Sequence, residues 1–81
     1  MRKLKILGSA IFFMTENDTY PTPDRDAGAS FAVWHDEDDQ YWLEVHYQRE
    51  WRQLFTKPLA SMEEVIEAVQ KYDFETPPMK R

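Results

Sequence analysis

His35 and His46 are the two histidines of this chain, and histidine is the side chain best placed to move a proton near neutral pH. His46 stands two residues after Glu44, and antiparallel pairing would set Ser30 opposite it. A Ser-His-Glu relay can be written from these three. It would lie on a flat sheet face, with no glycine elbow and no oxyanion donors, so nucleophilic catalysis is not expected. Asp36, Glu37, Asp38 and Asp39 offer four consecutive carboxylates to a hard cation. A calcium loop alternates its ligands around a glycine and closes on a distant glutamate. This run does neither, and it reads as a solvated turn. Gly8 and Gly28 stand alone, so no glycine-rich cradle for phosphate is present. The chain has no cysteine, hence no thiolate site and no disulfide. No metal, no cofactor and no catalytic activity is expected.

Trp34 and Trp42 point to a different chemistry. Both are expected on the sheet face that no helix covers. They would serve either as a cross-strand pair shielded by other parts of the chain or as a protein-binding patch. The acids around them are concentrated. From Glu16 to Asp39 there are eight carboxylates against Arg25 alone, within a chain of net charge −5. Half of the basic residues, Arg2, Lys3, Lys5, Lys80 and Arg81, sit at the two ends. Such a field repels nucleic acid and attracts basic partners, and it also keeps an aromatic-rich chain in solution. The expected binding surface is therefore Asp24, Asp26, Asp36, Glu37, Asp38 and Asp39, with Trp34 or Trp42 beside them.

The elements that must position these residues follow from hydrophobic period. Eighty-one residues suffice for one small domain. Leu4 and Ile6 alternate with Lys3 and Lys5, the period of a half-buried strand. Gly8-Ser9 interrupts the pattern before Ala10 to Met14 resumes it, giving one bent strand or two short ones. The segment 15–28 is an acidic loop in which Pro21 and Pro23 exclude a helix or a central strand. Ala29–His35 and Gln40–Gln48 form a hairpin around the turn Glu37-Asp38-Asp39. Matching apolar faces sets Val33 against Leu43, Phe31 against Val45 and Trp34 against Trp42. Tyr41, Leu43, Val45 and Tyr47 then make one apolar stripe.

Trp51 to Thr56 is the next strand. A three-residue turn, Gln48-Arg49-Glu50, would pair Tyr47 with Trp51 and Leu43 with Phe55, placing both aromatics in the core. A two-residue turn at Arg49-Glu50 would send Trp51 and Phe55 to the other face. The three-residue turn is preferred, because Arg-Glu is a poor fit to the left-handed geometry of tight hairpins. Pro58 ends the strand. Ser61-Met62-Glu63-Glu64 is a capping box that opens a helix with Met62, Val65, Ile66 and Val69 on one face, closed by Tyr72 or Phe74. Residues 75–81 are expected to fray.

The expected fold is α+β: a three- to four-stranded antiparallel sheet with one C-terminal helix packed on one face. Leu7 to Met14 is short for a signal-peptide core, no small-residue cleavage site follows, and no apolar run is long enough to span a membrane. A cytoplasmic protein is expected. The architecture is similar to that of the arm-binding domains of tyrosine-type integrases, which insert a basic sheet into the major groove. This sheet offers mainly Arg49, Arg52 and Lys57 amid strong acidity, so direct nucleic-acid binding is not expected. Two functions fit. One is a small protein-binding module or inhibitor, of the kind phages and mobile elements encode, that mimics nucleic-acid charge and blocks a basic groove on a nucleic-acid enzyme. The other is a subunit that homodimerises through its sheet edge.

Overall fold

The computed structural model describes residues 2–6, 8–15, 18–55 and 57–72. In chain order they form β1 (Arg2–Ile6), β2 (Ser9–Met14), β3 (Ala29–His35), β4 (Tyr41–Tyr47), β5 (Glu50–Gln53) and α1 (Met62–Lys71). The class is α+β with a C-terminal helix, as expected. The sheet differs in two respects. It has five strands, in the order β1-β2-β3-β4-β5, and it is mixed: β2 and β3 run parallel while the other neighbours are antiparallel.

The N-terminal segment is two strands. Gly8, at φ 83°, turns the chain between Ile6 and its partner Ser9, in a backbone region that side chains rarely adopt. The parallel pairing follows from what comes next. β2 ends with Met14 beside Trp34, and β3 begins with Ala29 beside Ser9. The chain must therefore return the full length of the sheet, and such a crossover takes a dozen or more residues. The segment 15–28 supplies the length, and its described residues, among them Pro21 and Pro23, form no helix. Gly28 N–H donates to Gly8 O at the return point.

The β3–β4 hairpin has the expected register, with Phe31, Val33 and Trp34 opposite Val45, Leu43 and Trp42. Side chains alternate, so Ile11, Phe31, Val33, Leu43 and Val45 share one face and pack with Val65 and Val69 of α1. Phe31, Ile11, Val45 and Val65 are fully buried. Each such side chain stabilises by about 1.5–3 kcal/mol through removal from water. Tyr72 closes the stripe edge-on to Phe31, 5.7 Å between centroids. Phe74 and the expected frayed tail, 75–81, lie outside the described residues.

The helix start is close to the expected box. Ser61 Oγ accepts from Glu64 N–H, while the Glu64 carboxylate accepts from Ala60 N–H, one residue earlier than a standard box would have it. Among the described residues no helix is long and apolar enough to cross a membrane.

The β4–β5 turn corrects the expected one. It is the two-residue turn Gln48-Arg49, with Tyr47 opposite Glu50 and His46 opposite Trp51. Trp51 therefore faces away from the helix. Leu54, not Phe55, packs with the core, its N–H donating to Leu43 O, and Phe55 is exposed. β5 also stops at Gln53, short of the expected end, and the ladder resumes where Leu59 exchanges two hydrogen bonds with Tyr41.

Gln48 and Arg49 have φ values of 50° and 70°. This is the left-handed pair that matches strand twist, but it costs residues with a Cβ about 1–2 kcal/mol each. The contacts of Trp51 offset that strain. Replacing Gln48-Arg49 with Asn-Gly is accordingly expected to raise the urea midpoint, by about 1 kcal/mol of stability. A fall in midpoint would mean that the turn is not left-handed.

Candidate binding cleft

The face away from α1 is built around small residues. Ala10, Ser30 and Ala32 are buried along its middle. Larger rings lean over this depression from the flanks. Phe12 on β2 reaches Trp51 on β5, edge-on at 6.3 Å. Tyr20, from the crossover, docks between them and Trp34. It stacks on Trp51 at 5.7 Å and meets Trp34 edge-on at 5.7 Å and 74°. Offset and edge-on pairs of this kind add about 0.5–1.5 kcal/mol each beyond burial. The crossover thus lays an aromatic cluster on this face, with Tyr20 itself 47% exposed.

A carboxylate lies at its centre. Glu44, in the middle of β4, is only 4% exposed. Tyr20 O–H spans both of its oxygens, at 2.9 and 2.7 Å, and Trp34 Nε1–H donates at 2.6 Å. Hydrogen bonds to a charged acceptor are among the stronger ones, so Glu44 pins the crossover to the sheet.

Asp24 pins its other end. Its amide donates to Ser30 Oγ at 2.9 Å, and its carboxylate meets Lys3 and Lys5 of β1 at 3.1 and 3.4 Å. The Asp26 amide, foremost, and then Lys3 and Lys5 hold the Asp24 carboxyl down to about 2. A depressed carboxyl contributes stability that is fully present above its ordinary value and is lost as pH falls through the folded one. The anchor is therefore expected to hold at pH 5 and to release between about pH 4 and 2. Asp24→Asn should remove that part of the acid transition when unfolding is followed against pH. An acid limb identical to wild type would contradict the anchor.

Asp36 organises the hairpin tip. One of its oxygens accepts from the Asp38 and Gln40 amides, each at 2.9 Å, and the other accepts from Trp42 Nε1–H at 3.0 Å. The Gln40 amide first, then Trp42, the Asp38 amide and the nearby His35 hold its carboxyl below the usual range. Asp39 takes the left-handed position, φ 58°, that ends a three-residue turn. Glu37, Asp38 and Asp39 are exposed. His35 Nε2 lies 3.3 Å from Asp39, and its ring stacks on Tyr41 at 4.8 Å.

Tyr20, Trp34, Trp42, Glu44 and Gln53 line an open cleft of about 440 Å³ beside this tip. Trp34, Trp42 and Asp36 are thus brought together, both tryptophans half-buried. Asp24 and Asp26 are not part of the group. Asp24 is bound near the start of β3 while Asp36 follows its end, roughly 20 Å away at strand rise.

Tyr20, Glu44 and Gln53 were not among the sequence-expected site residues. The sequence carries only an indirect signal for them. Trp34 follows small Ser30 and Ala32 on the same face of β3, which leaves space there, and Tyr20 sits mid-crossover.

Ser30 Oγ accepts from Asp24, and the His46 ring packs edge-on to Trp51 at 5.2 Å. Among the described residues no group of three or more His, Asp or Glu side chains could hold a metal ion. No known family model matches the chain, and no curated protein or solved structure matches it.

Proposed function

We propose that this protein is a small non-catalytic binding module for a protein with a basic surface, engaged through the acidic β3–β4 tip and the aromatic cleft beside it. The observation that carries this reading is the bond from Trp42 Nε1–H to Asp36. It ties an aromatic wall of the cleft to the residue that shapes the tip, so charge and apolar surface belong to one rim. Exposed rim charges steer encounter and exclude wrong partners, while a desolvated tryptophan holds the complex. One specific form is an inhibitor that occupies a basic groove of a nucleic-acid enzyme in place of its nucleic acid.

Edge-to-edge homodimerisation is the second reading, favoured by Leu4, 42% exposed on edge strand β1. Against it, Arg2, Lys3 and Lys5 lie along the same short strand, and edge lysines discourage strand addition.

The test is affinity capture from the native host followed by association kinetics on the captured protein. The variant Glu37→Gln/Asp38→Asn/Asp39→Asn leaves Asp36 to hold the turn. It is expected to slow association about tenfold at low ionic strength and to flatten the salt dependence, with unfolding unchanged. Capture of nothing but a second copy of this chain would favour the homodimer.

A further inference from the structure

From the chemistry of the cleft, and resting on the binding-module reading, we infer that it receives an alkylammonium group: a lysine side chain, unmodified or methylated, of the protein partner. Three aromatic residues and one carboxylate line it. Tyr20 and Trp34 meet edge-on at 74° along the cleft, with Tyr20 stacked on Trp51 behind. Their polar atoms are bonded to Glu44, and that of Trp42 to Asp36, so the three side chains are held before any ligand arrives. A cation beside such rings is attracted by their quadrupoles, more strongly where water is excluded. Glu44, 4% exposed beneath them, adds a negative charge at the floor of the open cleft.

The same geometry selects between cations. A guanidinium prefers both oxygens of a carboxylate at once. In Glu44 that fork is spanned by Tyr20 O–H, at 2.9 and 2.7 Å. An ammonium needs the charge and the rings but not the fork. Methyl groups on the nitrogen are tolerated for the same reason, because attraction to the rings requires no N–H donor.

The probes are Nα-acetyl-lysine N-methylamide, its ε-trimethyl form, the arginine analogue, and the norleucine analogue as neutral isostere. Each is titrated into ¹⁵N-labelled full-length protein while the indole N–H resonances are followed. Lysine and trimethyllysine are expected to shift Trp34 and Trp42 at concentrations about five- to thirtyfold below those norleucine requires, with arginine weaker than lysine. Glu44→Gln keeps an acceptor for Tyr20 and Trp34 but removes the charge, and should weaken lysine binding at least about fivefold. Equal shifts with norleucine, tighter binding of arginine, or no shift of either indole would overturn the inference. Should Glu44→Gln fail to fold, the four probes on wild-type protein decide the matter alone. The two readings fail separately. If the captured partner is lost on tip neutralisation but the cleft ignores lysine, the module stands and the ammonium site falls. If the cleft binds lysine but no basic protein is captured, the reverse holds.

Discussion

Phe31→Ala is expected to cost about 3–5 kcal/mol, a large share of this chain's stability. Phe31 is fully buried, opposite Val45 on one side and beside Ile11 on the other, with Tyr72 edge-on above it. It is the ring on which sheet and helix meet. Removing it forfeits the transfer energy and leaves a cavity that a five-stranded sheet, bonded on both sides of β3, cannot collapse to fill. A domain of this size has a total stability of only about 4–12 kcal/mol. Urea unfolding followed by tryptophan fluorescence should show the cooperative transition shifted to a much lower midpoint or lost. A shift worth less than about 1.5 kcal/mol would mean that the helix is not seated on Phe31.

Glu44→Ala has the second-largest expected effect, about 3 kcal/mol. It strips the shared acceptor from Tyr20 O–H and Trp34 Nε1–H, and bonds to a charged acceptor are worth about 1.5–3 kcal/mol each. Some of that loss is recovered, because the crossover can lift and let water reach both donors. Lifting is itself measurable. Arg25 is exposed in the crossover, and trypsin should cleave after it faster in Glu44→Ala than in wild type under native conditions. Glu44→Gln should lie between the two. A Glu44→Ala protein with wild-type unfolding and wild-type proteolysis would show that the carboxylate does not hold the crossover.

The two predictions fall on opposite faces of the sheet, and the sequence speaks very unequally about those faces. The helix face is repetitive. Leu43 and Val45 alternate with polar positions, Val65 and Val69 recur at helical spacing, and both patterns arise because one side of each element meets water. Register follows from them, and the β3–β4 pairing is as expected. Strand direction does not follow in the same way. The parallel partnership of β2 and β3 is encoded only in the length of 15–28, enough residues to cross the sheet, which reads equally as an idle loop.

The β4–β5 turn was obscured for a local reason. Gln48 and Arg49 disfavour left-handed backbone, and that preference is overruled by Trp51, which gains Tyr20, His46 and Phe12 as neighbours by facing away from the helix. Tertiary packing worth a few kcal/mol outweighs a turn preference of one or two. The candidate site was partly visible. Trp34, Trp42 and Asp36 were singled out by type and register. Tyr20 and Glu44 depend on the crossover landing on this face, and no local pattern records that. The acids of 16–39 read as one field, whereas in three dimensions Asp24 is spent on Lys3 and Lys5 and Asp36 on its own turn. Glu37, Asp38 and Asp39 are the members of the tip left exposed to meet a partner.

The most direct test of a rim that steers with charge and holds with aromatic surface is to separate the two rates on the captured partner. Association and dissociation would be measured at low and at physiological ionic strength for wild type, for Glu37→Gln/Asp38→Asn/Asp39→Asn, and for Trp42→Leu. The tip variant should associate about tenfold more slowly at low salt and dissociate at the wild-type rate. Trp42→Leu should associate normally and dissociate at least about tenfold faster, as loss of an anchor worth over 1 kcal/mol requires. A tip variant that associates at the wild-type rate at low salt, together with a Trp42→Leu complex as long-lived as wild type, would contradict the account and leave the acidic tip as a device for solubility.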